Sequence, residues 1–210
     1  MKKDKLTKKE LKYFARMAAE SYMNDPVHSY ASKSEKIRKK YVYHFQLERL
    51  STSNRQDDII YVDEENRGIC VWRRAHNEYT FFDFMLCPNW VFLAFYWPNT
   101  IRTLMAYSHL DVKVFPENTY IISPVFVAPE HQGKGVATKL IKQGIADLMA
   151  QGYNVGLEAQ NPDNVAFYEK LGFKTIKKDH WERENIDNHY MLIRNEEFGI
   201  RNCGRADLNV

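Results

Sequence analysis

Tyr120-Ile-Ile-Ser-Pro-Val-Phe-Val-Ala-Pro-Glu-His-Gln-Gly-Lys-Gly-Val-Ala137 is the stretch of this chain that decides its fold. The apolar run from Tyr120 to Val127 predicts a strand, and an amphipathic helix is predicted after the glycines. Such a turn exposes backbone N–H groups at the positive end of a helix dipole, an arrangement that binds phosphate. Glycine also occurs in strand-to-helix turns for steric reasons alone, so both interpretations stay open here. The turn matches neither the dinucleotide fingerprint nor the P-loop.

The chain downstream repeats the strand–helix order. The apolar residues of the first helix recur on one face, and Gly152 follows where such helices end: Ala137, Leu140, Ile141, Gly144, Ile145 and Leu148. Residues 153–160 predict the next strand, and Asn161-Pro162 fits a helix N-cap followed by proline at the first helical position. Gly172 ends that helix before a strand from Phe173, and residues 189–194 predict the last strand. This order predicts an α/β fold with a parallel strand pair at its centre.

Two motifs in this region carry a family resemblance. Gln132-x-x-Gly135-x-Ala137 resembles the Q/R-x-x-G-x-G/A pyrophosphate loop of the GNAT superfamily of acyl-CoA-dependent N-acyltransferases. Asn161, followed by Phe167-Tyr-Glu-Lys-Leu-Gly-Phe173, resembles the second landmark of that superfamily at the expected distance. The close resemblance covers residues 118–175. Residues 18–26 and 68–72 are similar to the branch that includes puromycin-type acetyltransferases.

The resemblance implies an α/β protein with a mixed (α+β) central sheet, a splayed parallel strand pair and flanking helices. Pro124 lacks a ladder donor, which predicts a bulged or unpaired strand at that residue. The resemblance implies that the pantetheine arm of acetyl-CoA, the acyl donor, enters the opening beside this strand. It implies no metal. The implied cofactor-binding residues are Val125, Phe126, Val127, Gln132, Gly133, Lys134, Gly135, Val136, Ala137, Thr138, Asn161, Asn164 and Tyr168.

The resemblance also suggests which residues carry the chemistry. Tyr168 matches the family tyrosine that donates a proton to the departing thiolate, and a phenol with a pKa near ~10 is able to do so. Glu158, on the strand that leads to Asn161, is the candidate general base for the attacking amine. A chain of waters or a histidine is the alternative base. His131 lies beside the loop, whereas His28 and His109 cannot be placed from the sequence.

The expected activity is direct transfer of an acetyl group from acetyl-CoA to a primary amine. The puromycin-type similarity favours a small-molecule acceptor. Two alternatives remain: acetylation of a protein amino group, and a non-catalytic regulatory module that binds acyl-CoA. Fold analogy does not decide between them.

Composition excludes several other classes. The chain has 210 residues, which suits a single acetyltransferase domain, and 30 Lys+Arg against 27 Asp+Glu leave a formal charge of +3. That charge is too small to argue for nucleic acid. No apolar segment predicts a signal peptide or a membrane helix. Cys70, Cys87 and Cys203 fit neither a disulfide framework nor a metal pattern, so a cytoplasmic protein is expected. A homodimer is left open.

The N-terminal half is less informative. Thr7 and Glu10 predict a capping box for a helix with Leu11, Phe14, Ala15, Ala18 and Tyr22 on one face. Ser32 and Glu35 predict the start of a second helix, with Ile37, Tyr41 and Phe45 on one face. Residues 59–62 and 68–73, around the turn at 63–67, predict a β-hairpin.

An aromatic-rich helical insertion is predicted over about residues 80–108. Pro88 and Pro98 suggest two helical pieces, which form core, a dimer face or the wall of an acceptor pocket. Its aromatic residues are Phe81, Phe82, Phe84, Trp90, Phe92, Phe95, Tyr96 and Trp97. The tail over about residues 195–210 carries no readable pattern.

Overall fold

The computed structural model describes residues 1–55, 58–77 and 90–196. The strands are β1 (Lys2–Lys3), β2 (Ile59–Val62), β3 (Gly68–Arg74), β4 (Thr119–Val127), β5 (Asn154–Ala159), β6 (Lys174–Trp181) and β7 (Ile186–Ile193). The helices are α1 (Lys8–Ser21), α2 (Pro26–Ala31), α3 (Glu35–Arg55), α4 (Trp90–Phe95), α5 (Trp97–Tyr107), α6 (Val136–Met149) and α7 (Pro162–Lys170).

Within these residues the strands form one mixed sheet in the order β1-β2-β3-β4-β5-β7-β6. In that part of the chain β4 and β5 are the only parallel pair, and the other neighbours are antiparallel. The predicted parallel pair at the centre is thus confirmed, as is the β2–β3 hairpin. The last strand begins three residues before the predicted start, because it pairs along its length with both β5 and β6.

Strand β4 is bulged at the predicted residue. Cys70 lies opposite Val125 and Trp72 lies opposite Ile122, so β4 spans one residue more than β3 between these pairs. The extra residue falls at Ser123–Pro124, which are joined by a cis peptide bond. A proline without an N–H group accounts for the interrupted ladder.

Helices cover both faces of the sheet. On one face α6 packs its predicted apolar residues against the strands, and Gly144 lets the helix approach the indole of Trp72. On the other face Phe14, Met17 and Ala18 of α1 and Leu50 of α3 pack against β2 and β3. The two layers bury the sheet and leave the separation of its central strands as the entrance to the interior.

The helix starts follow local capping chemistry. The predicted capping box of α1 is present, with Thr7 Oγ1 accepting from Glu10 N and the Glu10 carboxylate accepting from Thr7 N. Helix α2 was not predicted, although Asp25 caps it by accepting from His28 N at 3.0 Å. In α3, Tyr41 and Phe45 are buried as expected. Ile37, in the first turn, is 43% exposed, which corrects its assignment to the buried face.

The aromatic stretch is helical where it is described, as α4 and α5. The helices meet at Tyr96, and Pro98 occupies the first turn of α5, where its missing N–H costs no hydrogen bond. Leu93 is buried, whereas Phe92, Phe95 and Trp97 are exposed, so core packing does not apply to these three residues, and a dimer face or a pocket wall stays open for them. Phe81, Phe82, Phe84, Cys87, Pro88, Cys203 and most of the tail lie outside the described residues. No described helix is long and apolar enough to cross a membrane.

Candidate active site

The centre of the sheet opens because β4 and β5 stop pairing. Their last paired residues are Ile121 and Gly156, and both strands continue beyond this point without each other. A cavity of about 830 Å³ occupies the separation. Its wall includes Ile122, Val125, Glu158 and Tyr168, together with side chains from α3, α4, α5 and α7. The splayed pair that the resemblance implies is therefore present, and it leads into this cavity.

The glycine loop lies at the end of β4. Gly133 and Gly135 have φ values of +73° and +80°, a region that side chains other than glycine rarely adopt. A Cβ atom built on either glycine would meet no atom within 4 Å, so the space above the loop is open. Gly135 is the N-cap of α6 and supplies no side-chain acceptor, which leaves the first N–H groups of the helix without an intrahelical partner. The loop thus has the room and the donors that a phosphate group requires.

Two side chains of the loop are turned back onto the protein. Gln132 Nε2 donates to the carbonyl oxygen of Val127 at 3.1 Å, and Lys134 Nζ donates to that of Glu130 at 2.8 Å. Gln132 therefore fastens the loop to the end of β4.

Glu158 reaches the cavity from β5, where its strand partner is Tyr190. Burial raises the pKa of its carboxyl group to about 7, and the positive charges of Arg73 and Arg49 act in the opposite direction. Its Oε1 atom has no hydrogen-bond partner among the described residues. A carboxylate with a pKa near neutrality has the properties of a general base.

Tyr168 lies on α7 and also lines the cavity. Its ring packs edge-on against Phe173, and burial raises the pKa of its phenol above the ordinary value. The hydroxyl is therefore protonated at neutral pH. Asn161 caps α7, with its Oδ1 accepting from Asp163 N at 2.9 Å, and Asn164 lies one turn before Tyr168. Both asparagines line the same cavity.

The three histidines weighed in the sequence analysis lie in different places. His131 lies in the 3₁₀ turn before the glycine loop, outside the described cavity lining. His109 pairs with Glu184 of the β6–β7 turn, with 3.3 Å between Nε2 and Oε2. His28 is buried in the cavity wall, and burial lowers the pKa of its imidazole.

Sequence reasoning missed the part of the wall that comes from the N-terminal helices. Tyr22, Asp25, His28 and Arg49 all line the cavity. The Asp25-Pro26 pair is a helix-start signal that would have placed two of them on a common turn. Nothing in the spacing of α1–α3 shows that these helices close over the β4–β5 opening, because tertiary packing decides it. Among the described residues no group of His, Cys, Asp and Glu side chains is arranged to hold a metal ion.

Comparison with known proteins places this geometry in a family. Residues 55–173 match the model of the acetyltransferase (GNAT) family. An N-acetyltransferase from Staphylococcus aureus Mu50 is similar in structure, with a TM-score of 0.62 at 14% identity over 92% of this chain and 100% of that chain. PaiA N-acetyltransferase from Thermoplasma acidophilum, solved in complex with coenzyme A, is similar with a TM-score of 0.54 at 14% identity. That match covers 92% of this chain and 98% of that chain. The ribosomal-protein-S18-alanine N-acetyltransferase from Escherichia coli is similar with a TM-score of 0.51 at 13% identity. That match covers 92% of this chain and 93% of that chain. These structural likenesses show the fold, and the family match covers more than half of the sequence. The chain therefore belongs to the acetyltransferase (GNAT) family.

Proposed function

We propose that the protein is an N-acetyltransferase that transfers the acetyl group of acetyl-CoA directly to the primary amine of a small molecule. One observation carries the proposal: a single cavity at the β4–β5 separation receives both Glu158 and Tyr168. Its volume of about 830 Å³ falls in the range of small-molecule sites. The proposal treats the chain as one acetyltransferase domain. It places the enzyme in the cytoplasm, where a free thiol such as that of Cys70 persists.

Acetyl-CoA supplies the acetyl group as a thioester, and the fold offers a place for each part of it. The backbone N–H groups between Gly133 and Thr138 would hold the pyrophosphate, favoured by the dipole of α6. The strand edge at residues 125–127 would lie along the pantetheine arm, because β5 leaves that edge unpaired. Asn161 and Asn164 would flank the arm from α7.

Two residues then divide the proton transfers. The Glu158 carboxylate accepts a proton from the amine as its nitrogen attacks the acetyl carbonyl carbon, and the C–N bond forms as the C–S bond breaks. The Tyr168 hydroxyl donates its proton to the sulfur that leaves. Overall one proton moves from nitrogen to sulfur, and exchange with solvent resets both residues. At neutral pH the Tyr168 phenol is protonated and able to donate, and Glu158, with a pKa of about 7, is partly ionised, which leaves a fraction of the enzyme with the carboxylate able to accept.

The test combines binding and turnover on the same preparation. Acetyl-CoA at about 100 times its Kd should stabilise the protein by roughly 2.7 kcal/mol. Gly135→Glu should abolish this thermal shift, because it places a negative charge and a strained φ in the loop. Gly152→Glu is the matched control, since Gly152 also has a positive φ and open space but lies at the far end of α6.

Turnover is measured as CoA release with a panel of small primary amines and with peptides that have free N-termini. Release with small amines supports the proposal. CoA release with peptides alone would show that the acceptor is a protein amino group and not a small molecule. Acetyl-CoA binding with no release for any acceptor would contradict catalysis and leave a regulatory acyl-CoA-binding module.

A further inference from the structure

The free edge of β4 has a definite polarity. Ala128 N–H donates to the carbonyl oxygen of Arg67 at 2.9 Å, which sets the phase of the β3–β4 ladder. Hydrogen-bonded pairs alternate along an antiparallel ladder, so Phe126 exchanges hydrogen bonds with its partner Ile69. The backbone groups of Val125 and Val127 point the other way, toward the side that β5 leaves open beyond Ile121.

The carbonyl groups on this edge already have donors, and the donors are side chains. Tyr22 OH donates to Val125 O at 2.9 Å, and Ser21 Oγ donates to Val127 O at 2.6 Å. Gln132 Nε2 is a second donor to Val127 O, at 3.1 Å. A carbonyl oxygen has two lone pairs, so two hydrogen bonds saturate Val127 O.

We propose that Ser21 and Tyr22, at the C-terminal end of α1, are positioning residues that hold the free edge of β4 in the form that accepts the pantetheine arm. This inference rests on the proposed function. Ser21 and Gln132 together saturate Val127 O, and Tyr22 occupies one of the two lone pairs of Val125 O, so the edge presents chiefly the N–H groups of Val125 and Val127. The arm's amide carbonyl oxygens then dock against donors, which selects one orientation of the arm.

The same contacts keep the opening open. Buried carbonyl groups require a partner, and without Ser21 and Tyr22 this part of β4 would gain stability by drawing in water or by shifting toward another strand. Tyr22 is itself held in place, because its ring packs edge-on against Phe126 with 5.9 Å between centroids and also contacts His28. An edge that is already fixed costs less to order when the arm binds.

The experiment separates the arm of acetyl-CoA from its nucleotide half. Calorimetry measures the Kd of acetyl-CoA and of adenosine bisphosphate, the nucleotide half without the arm, for wild type, Ser21→Ala and Tyr22→Phe. Each substitution removes one hydroxyl, so the Kd of acetyl-CoA should rise about three- to tenfold. The Kd of the nucleotide half should stay within about twofold, because its site at the glycine loop is separate. Ser21→Thr retains a hydroxyl and should restore wild-type affinity.

A merely structural role predicts a different result. Tyr61→Phe is the matched control, because it removes a hydrogen bond of 2.6 Å from Tyr61 OH on β2 to Asp147 on α6, outside the cavity lining. This control should lower Tm while both Kd values stay unchanged. If Ser21→Ala and Tyr22→Phe behave like the control, the inference is wrong and the proposed function stands. Wild-type protein that binds neither ligand would overturn both.

Discussion

Glu158 is held near neutrality by opposing influences on one carboxyl group. Burial in the cavity wall disfavours the charged form, and the charges of Arg73 and Arg49 favour it, with the balance at a pKa of about 7. The carboxyl is therefore poised between its two forms at neutral pH, which suits a general base. Burying this carboxyl group also lowers the stability of the fold when the group is charged.

The first prediction follows Glu158 through its titration. In wild type kcat/KM should fall as pH drops below about 7, because the base becomes protonated. Glu158→Gln should lower kcat/KM by about 10²–10⁴-fold above that pH and abolish this limb of the profile. Initial rates of CoA release across pH measure both effects. A Glu158→Gln enzyme within threefold of wild type above pH 7 would assign the base to water or to another residue.

Stability provides an independent readout of the same group. The folded protein holds the proton of Glu158 more tightly than the unfolded chain does. The stability that this proton contributes to the fold is therefore fully present below pH 4.5, the ordinary pKa of the group, and is lost as pH rises through about 7. Glu158→Gln should therefore stabilise the fold relative to wild type above pH 7, by at most on the order of 3 kcal/mol. Urea unfolding at acidic and at alkaline pH measures the difference.

Tyr168 carries the second prediction. Tyr168→Phe removes the hydroxyl and keeps the ring against Phe173, so the fold and the Kd of acetyl-CoA should survive. The lost interaction develops in the transition state, so kcat and kcat/KM should fall together, by about 10²–10³-fold. Calorimetry and CoA release on one preparation measure both. Wild-type turnover would make Tyr168 a packing residue, and loss of cofactor binding would make it a binding residue instead.

At the scale of elements, α6 approaches the sheet closely at Gly144. A Cβ atom on Gly144 would lie 2.1 Å from Nε1 of Trp72 and 2.5 Å from Cε2, both atoms of a rigid indole. Trp72 is fully buried on β3, beside the bulged strand, and has little room to move. Gly144 therefore sets the depth at which the helix that carries the glycine loop is seated on the sheet.

The third prediction compares the steric cost of a side chain at Gly144 with the gain in helix propensity from replacing this glycine. Replacing a helical glycine by alanine normally stabilises a helix by about 0.5–1 kcal/mol. Overpacking a core costs typically about 1–3 kcal/mol, so Gly144→Ala should destabilise the protein. Gln143→Ala, at the exposed neighbouring residue, is the control and should change stability by less than about 0.5 kcal/mol. An increase in Tm for Gly144→Ala would show that propensity decides.

Elements defined by local signals could be predicted from the sequence, and those placed by distant contacts could not. The capping box of α1, the β2–β3 hairpin and the bulge at Pro124 each have a signal within a few residues. The insertion of β7 between β5 and β6 has none, because pairing partners far apart in sequence decide it. The exposure of Phe92 and Phe95 is likewise invisible in a pattern that records only apolar character.

The candidate site divides in the same way. Both motif segments, around Gly135 and Tyr168, could be located because each is continuous in sequence. Ser21, Tyr22 and Arg49 could not, since α1 and α3 reach the opening only through packing on the face of the sheet opposite α6. The perturbed pKa of Glu158 also depends on that packing, because burial is its main cause.

At the scale of the whole molecule, the two halves of the chain line different parts of the cavity. The C-terminal half contributes β4, β5 and α7, on the side where acetyl-CoA is proposed to bind. The wall opposite comes from α3, α4 and α5, through Phe45, Leu93, Leu104 and Tyr107. Polar residues of the same helices also line it, so this wall combines apolar surface with polar groups able to orient a small acceptor: Gln46, Glu48, Arg49, Thr52 and Thr100. Substitutions in α5 should therefore change the acceptor preference and leave the donor site intact.

The last prediction tests this division at the cavity rim. Leu104 lines the cavity although its side chain is 52% exposed, so Leu104→Trp can add bulk at the rim without disturbing the core. The KM of bulky amines should rise about tenfold, equivalent to ~1.4 kcal/mol. The KM of methylamine should rise much less, and the KM of acetyl-CoA should not change. Ile101→Trp is the matched control, because Ile101 lies one turn earlier on α5, is 45% exposed and is outside the described cavity lining. If both variants raise the KM of amines equally, the exposed face of α5 acts on the acceptor in another way. If Leu104→Trp raises the KM of acetyl-CoA instead, the wall assigned to the acceptor belongs to the donor.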